Sequence, residues 1–402
     1  MGGLNSLVRE LGKSLLYFQR LFGAIKTSQQ RSFSRRRFLL GLLTGLLISA
    51  CRRQSGLYLL ASLTGVFLVA CQQGNLPQNS GFQSQEPSSN NCRLVKHDAG
   101  ETTVCDRPQK VAALSPRALD VMLSLGIQPA GYAEDTLFNF RQFDNPSEQI
   151  PYLGERITTQ PINLGDRDNP SLETLVLLRP DLIVAVENGH ALYEQLSKIA
   201  PTLVLENGVG KEFWQRHLQV VAQAFDREEQ AKQVIAKHQQ QLAKARDRLA
   251  PVVATYPRVL PIALTPQIEP ISVYSYNSDA AELLEAIGFQ LVLLEQYPHR
   301  EQHQGISPKI SVEALSQLDA DIIIVLAWDH NNNLDHPQEA VKQRWEQHPI
   351  LQNLPASREG RVYFVNSDLW GSNIGGPITD ELILERLPRL LLPAVEGATK
   401  SQ

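Results

Sequence analysis

Arginines, aromatic rings and amides are what this sequence places where α/β proteins meet their ligands. Read as alternating strands and helices from residue 110 onward, the chain puts a short polar group after each strand. These groups are Ser115 and Arg117; Glu187, Asn188 and His190; Glu206 and Asn207; Thr265; Tyr276 and Asn277; Trp328 and Asp329; and Ser367, Asp368 and Trp370. In open α/β sheets chemistry collects beyond the carboxyl ends of the strands. An arginine supplies an always-charged planar fork for oxyanions, and an aromatic ring supplies a flat apolar wall. Arg117, Arg156, Tyr276, Trp328 and Trp370 are the candidate contacts, joined by Tyr152 and Arg300 from two long polar segments. Taken singly, each would serve as well as a surface cation or a packed ring; the set is what reads as a lining.

The same inventory argues against catalysis. No G-x-S-x-G elbow, P-loop, G-x-G-x-x-G or H-E-x-x-H pattern occurs, and Asn373-Ile374-Gly375-Gly376-Pro377 fits no phosphate loop. Asp166 and Asp168 are close carboxylates, but in a polar, solvated stretch. The expectation is no enzyme, with an exported hydrolase as the different-class rival. Metal ligation finds little support: His299 and His303 are four apart, His330 and His336 accompany Asp329 and Asp335, and His190 alone serves the first half. No metal site is expected.

The elements that position these residues show an internal repeat. PSLETLVLLRPDLIV at 170–184 matches ISVEALSQLDADIII at 310–324, pairing Ser171 with Ser311, Glu173 with Glu313, Leu175 with Leu315, Leu178 with Leu318 and Asp181 with Asp321. Each copy predicts a Ser-capped helix, a turn and a strand buried on both faces. A weaker echo pairs ALDVMLSLGIQ at 118–128 with AAELLEAIGFQ at 280–290, each ending on a C-cap glycine, Gly126 and Gly288. Between the copies lies Arg227 to Ala250, whose apolar positions Ala231, Val234, Ile235, Leu242, Ala245 and Leu249 form one helical stripe. Asp226 and Glu229 predict a capping box, Pro251 predicts the end, and the reach is roughly 36 Å. The fold class expected is α/β: two Rossmann-like lobes, 92–226 and 251–402, joined by one long backbone helix at 227–250, with a ligand cleft between the lobes. Ala133 to Asn169 is a long polar segment holding Tyr152 and Arg156, and Glu295 to Pro308 is a polar loop of the second half. Both read as long loops, which in compact domains are usually functional.

The first 71 residues are different material: ten Lys and Arg against the single acid Glu10, leaving 28 basic and 41 acidic residues after Cys71. An acidic folded part argues against nucleic acid and anionic membrane surfaces as partners. Two apolar runs, Phe38 to Ala50 and Leu57 to Ala70, are short for a membrane span, and each ends in small residues before a cysteine, Cys51 and Cys71. This resembles a bacterial lipoprotein signal, in which the cysteine is lipidated. Cys71 is the better match because a Gln/Asn/Ser/Gly/Pro tether, 72–91, follows it. Ser34-Arg35-Arg36-Arg37-Phe38-Leu39 also resembles a twin-arginine export motif, and a hairpin of two membrane helices is the alternative reading of the leader. Cys92 and Cys105 bracket a predicted hairpin turning at Ala99-Gly100. Either they face each other as a disulfide, contributing about 3 kcal/mol, or they are two reduced thiols.

The order PSLETLVLLRPDLIV, YEQLSKIAPTLVL and W-x-R-H-L-x-x-V-A-x-A-F-x-R-E-x-Q-A before a long helix resembles the substrate-binding lipoproteins of bacterial ABC importers for iron-siderophores and cobalamin. The opening CRLVKHDAGETTVCDRPQKVAALSPRALDVMLSLG is similar to the ferric-siderophore branch, as found in cyanobacteria. The resemblance covers roughly 92–393. It implies two lobes on a rigid helical connection, capture of a ferric siderophore between them, and delivery to an ABC permease dimer with its ATPase. It also implies that one acid per lobe, Glu173 and Glu313, meets the permease. These acids are equally placed to stabilise their own helix dipoles. No cofactor is implied, since iron arrives only inside the chelate; haem, cobalamin or a bare metal ion are the alternatives within the fold. The expected location is the periplasm, as a monomer held to the membrane by a lipid on Cys71.

Overall fold

A computed structural model describes residues 91–134, 142–186, 189–206, 213–276, 278–299, 307–329, 337–371 and 375–398. Cys51, Cys71 and the leader, the tether before residue 91, Glu187, Asn188, Asn207, Asn277, Arg300, His303, His330, Asp335, His336, Asn373 and Ile374 lie outside the described residues.

Strands β1 (Cys92–His97) and β2 (Gly100–Cys105) pair antiparallel with Cys92 opposite Cys105, and a disulfide joins the two. Alternation buries Val95 and Val104 on one face, which packs into the core of the first lobe. That lobe continues through β3 (Val111–Ala113), α1 (Pro116–Ser124), β4 (Pro129–Glu134), β5 (Ile162–Asp166), β6 (Asn169–Pro170), α2 (Leu172–Leu178), β7 (Leu182–Ala185), α3 (Gly189–Leu196), β8 (Thr202–Val204) and α4 (Phe213–Phe225). The sheet order is β6-β5-β4-β3-β7-β8, with only β6 running antiparallel to its neighbour. The central strands VAA, LIVA and TLV are wholly buried and almost wholly apolar, because helices cover both faces.

The second lobe comprises β9 (Arg258–Leu264), β10 (Ile271–Val273), α6 (Asp279–Ile287), β11 (Gln290–Leu291), β12 (Lys309–Ile310), α7 (Val312–Leu315), β13 (Ile322–Ala327), α8 (Pro337–Gln347), β14 (Val362–Asn366), α9 (Ser367–Trp370) and α10 (Pro377–Leu391). Its sheet runs β12-β10-β9-β13-β14, with β11 also pairing β9. Between the lobes, α5 (Glu228–Thr255) sets Ala231 in the first core and Ala245, Leu249 and Val252 in the second. The fold is therefore two α/β lobes on one helical spine, as the repeat predicts.

Two details of that spine differ from expectation. Pro251 lies inside the helix, which continues to Thr255. Burial of Leu249 and Val252 on either side of Pro251 holds the last turn in place despite the missing N–H. The helix has no capping box either: Arg227 is the N-cap without a side-chain bond, and Asp226 is left-handed at φ 58°. The Arg227 guanidinium instead donates to the Leu125 carbonyl at the end of α1. A third difference is in 133–169, which holds a helical turn at Pro146–Gln149, a 3-10 turn at Gly154–Arg156 and strand β5. INLGD buries only Leu164 and lacks a β-branched run, so pattern alone does not mark it as a strand.

The repeat is structural down to single hydrogen bonds. Ser171 Oγ accepts from Thr174 N at 3.2 Å, and Ser311 Oγ accepts from Ala314 N at 3.3 Å. Asp181 Oδ2 accepts from Lys110 N, and Asp321 Oδ2 from Arg258 N, both at 2.9 Å. Each aspartate thereby stitches the start of one central strand to the start of its neighbour.

Candidate functional site

Where the lobes meet, helix N-termini converge on buried polar groups. Ser115 caps α1 and Ser278 caps α6, which sets Arg117 and Asp279 in the first turns of the two helices, joined at 3.1 Å. Arg117 is only 3% exposed, so its guanidinium is a tie between lobes and not a free arm. Burial pushes the Asp279 carboxyl up to about 6 against the pull of Arg117, with Asp380 adding to the rise. One turn further along α1, the buried Asp120 accepts from Ile378 N, Thr379 N and Thr379 Oγ1 at 2.9, 3.0 and 2.9 Å, capping α10 from the opposite lobe. Burial lifts Asp120 to about 7, although these three bonds pull it back. Asp380 then accepts from Trp214 Nε1 at 3.0 Å and faces His238 Nε2 at 2.9 Å, which ties α4, α5 and α10 together.

These contacts account for the Gly375-Gly376-Pro377 run. A Cβ on Gly375 would strike the Asp279 carboxylate, and one on Gly376 would strike the Asp120 side chain. Gly375 is also left-handed at φ 55°. Pro377 then occupies the first turn of α10, where a missing N–H costs nothing.

Beside this joint an interlobe pocket of about 360 Å³ opens. Tyr152 reaches it from the first lobe and faces Val365 and Asn366 at the end of β14, Leu369 and Trp370 of α9, Gln338 of α8, and Arg386, Arg389 and Leu390 of α10. The Arg386 guanidinium lies over the Tyr152 ring, 5.4 Å from its centroid. Burial, with Asp368 nearby, raises the Tyr152 phenol to about 12, so it is a neutral donor at any physiological pH. Arginine, aromatic ring and amide thus do meet across the lobes.

Of the expected contacts, this pocket brings together Tyr152 and Trp370. The others are elsewhere. Tyr276 has no exposed surface; its hydroxyl donates to Tyr297 O at 2.9 Å and accepts from Leu294 N at 2.6 Å, which makes it a packed core ring. Arg156 is exposed and pairs with Glu381 at 3.7 Å. Trp328 is half-buried just past β13, and Arg300 lies outside the described residues. Arg386 and Arg389 are not legible as site residues: on sequence they are two cations on the polar side of a terminal helix. Asp120 carries a usable signal, a carboxylate inside the buried run Leu119 to Leu123.

Glu173 and Glu313 are exposed first-turn acids of α2 and α7. The backbone N–H of Glu313 and the Ser311 hydroxyl hold the Glu313 carboxyl below its usual range. On the same face as Glu173, Val176 and Leu177 are 55% and 82% exposed, while their repeat partners are Ser316 and Gln317.

Two lobes, a spine helix and an interlobe pocket define a binding protein of the periplasmic type. A family model described as "Periplasmic binding protein" matches residues 111–369, and the chain belongs to that family. Among characterised relatives, it is 27% identical to the Fe(3+)-citrate-binding protein YfmC of Bacillus subtilis, over 77% of this chain and 90% of that protein. It is 28% identical to the achromobactin-binding periplasmic protein of Dickeya dadantii, over 70% and 86%. Among solved structures, Staphylococcus aureus SirA complexed with staphyloferrin B is similar in fold, with TM-score 0.60 and 23% identity over 74% of this chain and 97% of that one.

Proposed function

We propose that this protein captures a ferric siderophore between its lobes and hands it to an inner-membrane ABC importer, without chemical change to the cargo. The observation that carries the reading is the interlobe pocket in which Tyr152 of one lobe faces Trp370 and two arginines of the other. A chelated iron offers only the oxygens and flat skeleton of its chelator to the outside, and guanidinium donors with aromatic walls are suited to that surface. A joint held by Arg117–Asp279 and Asp120–Thr379 supports a preformed site between lobes of fixed relation.

In the same reading Cys71 bears the lipid, the 72–91 tether lets the lobes reach the permease from the periplasmic side, and Glu173 and Glu313 meet cations of the permease dimer. Rim charges of this kind speed encounter and set register while permitting release. The test is tryptophan fluorescence of the full chain in detergent against ferric hydroxamates, ferric citrate, ferric catecholates, haem, cobalamin, Fe(III) and Zn(II). Saturable quenching by a ferric chelate supports the reading; a response confined to haem, cobalamin or the bare ions refutes it.

A further inference from the structure

We propose that Arg386 and Arg389 determine ligand specificity, by binding a carboxylate arm that a ferric chelate carries in addition to the groups on its metal. The inference rests on the function just given and narrows its substrate class. It starts from what the pocket can offer. Val365, Leu369, Trp370 and Leu390 give it apolar walls; among the described residues the charged groups around them are both cations, Gln338 adds an amide that can donate or accept, and no carboxylate lines it. Arg386 and Arg389 have no acceptor capacity. Asn366 Oδ1 is already held by Asp368 N at 2.7 Å, so the amide has chiefly its NH₂ to give. Tyr152, its phenol kept protonated by burial, has its own proton to donate. Asp368, whose charge is felt at Tyr152, does not line the pocket.

The two arginines are also uncommitted. Arg117, Arg156, Arg258 and Arg361 are each spent on carboxylates, whereas Arg386 and Arg389 make no ion pair among the described residues. Three apart on α10, their side chains leave the helix roughly 5–6 Å from each other and repel. An anion between them relieves the repulsion and takes up both forks. Planar bidentate geometry matches a carboxylate best.

Size and chelate chemistry narrow the ligand further. At about 360 Å³ the pocket is near the lower end of small-ligand sites, enough for one arm and not for a whole chelate. A neutral ferric tris-hydroxamate has no charged arm to insert, and a ferric tris-catecholate carries its charge on oxygens packed around the metal, so the arginines could meet it only at the pocket mouth and not with an inserted arm. A hydroxycarboxylate chelator with more carboxylates than iron uses has such an arm.

The experiment measures Kd on the full chain in detergent for ferric citrate, a neutral ferric tris-hydroxamate and a ferric tris-catecholate, with wild type, Arg389→Gln, Arg389→Lys and the double variant R386Q/R389Q. Both positions are exposed, so the fold should persist, and circular dichroism melting checks it. The expected result is tightest wild-type binding of ferric citrate, roughly tenfold loss per arginine removed, and an intermediate loss for lysine, which keeps the charge without the fork. Equal loss for all three chelates, or no loss, overturns the specificity role while leaving the function intact. Failure of the wild type to bind any ferric chelate overturns both.

Discussion

Asp120 is the residue on which the interlobe joint turns, and its behaviour with pH is a prediction in its own right. Burial raises its carboxyl to about 7 and that of Asp279 to about 6. A carboxyl raised above its unfolded value binds more protons when folded, so its contribution to stability is complete below the unfolded pKa near 4 and is lost as pH climbs through the folded value. The buried His217, held down to about 4, works in the opposite sense below pH 6.5, so the comparison that isolates Asp120 is wild type against Asp120→Asn: the wild-type urea midpoint is expected to fall relative to the variant's between pH 5 and pH 8. A wild-type midpoint that rises relative to the variant's over that window contradicts the assignment. Close packing gives a second expectation: Gly376→Ala forces a methyl into the Asp120 carboxylate and should lower stability by about 1–3 kcal/mol, read as a lower urea midpoint. Sequence reading finds the aromatic members of the pocket, Tyr152 and Trp370, because strand ends and long polar segments can be located from pattern. It assigns Arg117 and Tyr276 to the ligand because residue type carries no information on burial: the same arginine is a free fork or a spent one according to Asp279, a residue 162 positions away.

At the scale of elements, α5 carries the stability of the lobe arrangement. Leu249 is fully buried in the second core, and Leu249→Ala should cost about 2–5 kcal/mol by chemical denaturation. Pro251 gives the opposite sign. It interrupts the helix ladder without ending it, so Pro251→Ala restores an N–H donor and should stabilise by about 1 kcal/mol; a loss would show that the proline shapes a required bend. Most elements here are legible: the hairpin, the apolar central strands, the Ser-capped helices and the spine stripe all follow from periodicity and caps. The failures have physical causes. β5 is hidden by its single buried residue, and the two-residue strands β6, β11 and β12 are too short for any period to register. The last turn of α5 survives a proline because tertiary packing outweighs propensity.

For the whole molecule, capture and delivery should be separable. Glu173 and Glu313 are exposed and do not line the pocket, so Glu173→Arg and Glu313→Arg are expected to leave chelate Kd unchanged while reducing iron uptake in cells relying on this protein. A parallel loss of binding would show that these acids act on the lobes and not on a partner. The duplication itself makes the two-lobe plan readable, since a repeat that stitches β3 to β7 and β9 to β13 with equivalent aspartates builds two similar sheets. The central claim is that one iron chelate is held per chain, between the lobes, with its metal already complexed. Equilibrium dialysis of the full chain against radiolabelled iron tests it most directly. One iron is expected to bind per chain when the metal is offered as its preferred ferric chelate, and none when it is offered as free Fe(III). Iron taken up without a chelator, or chelates bound equally well without iron, would contradict it.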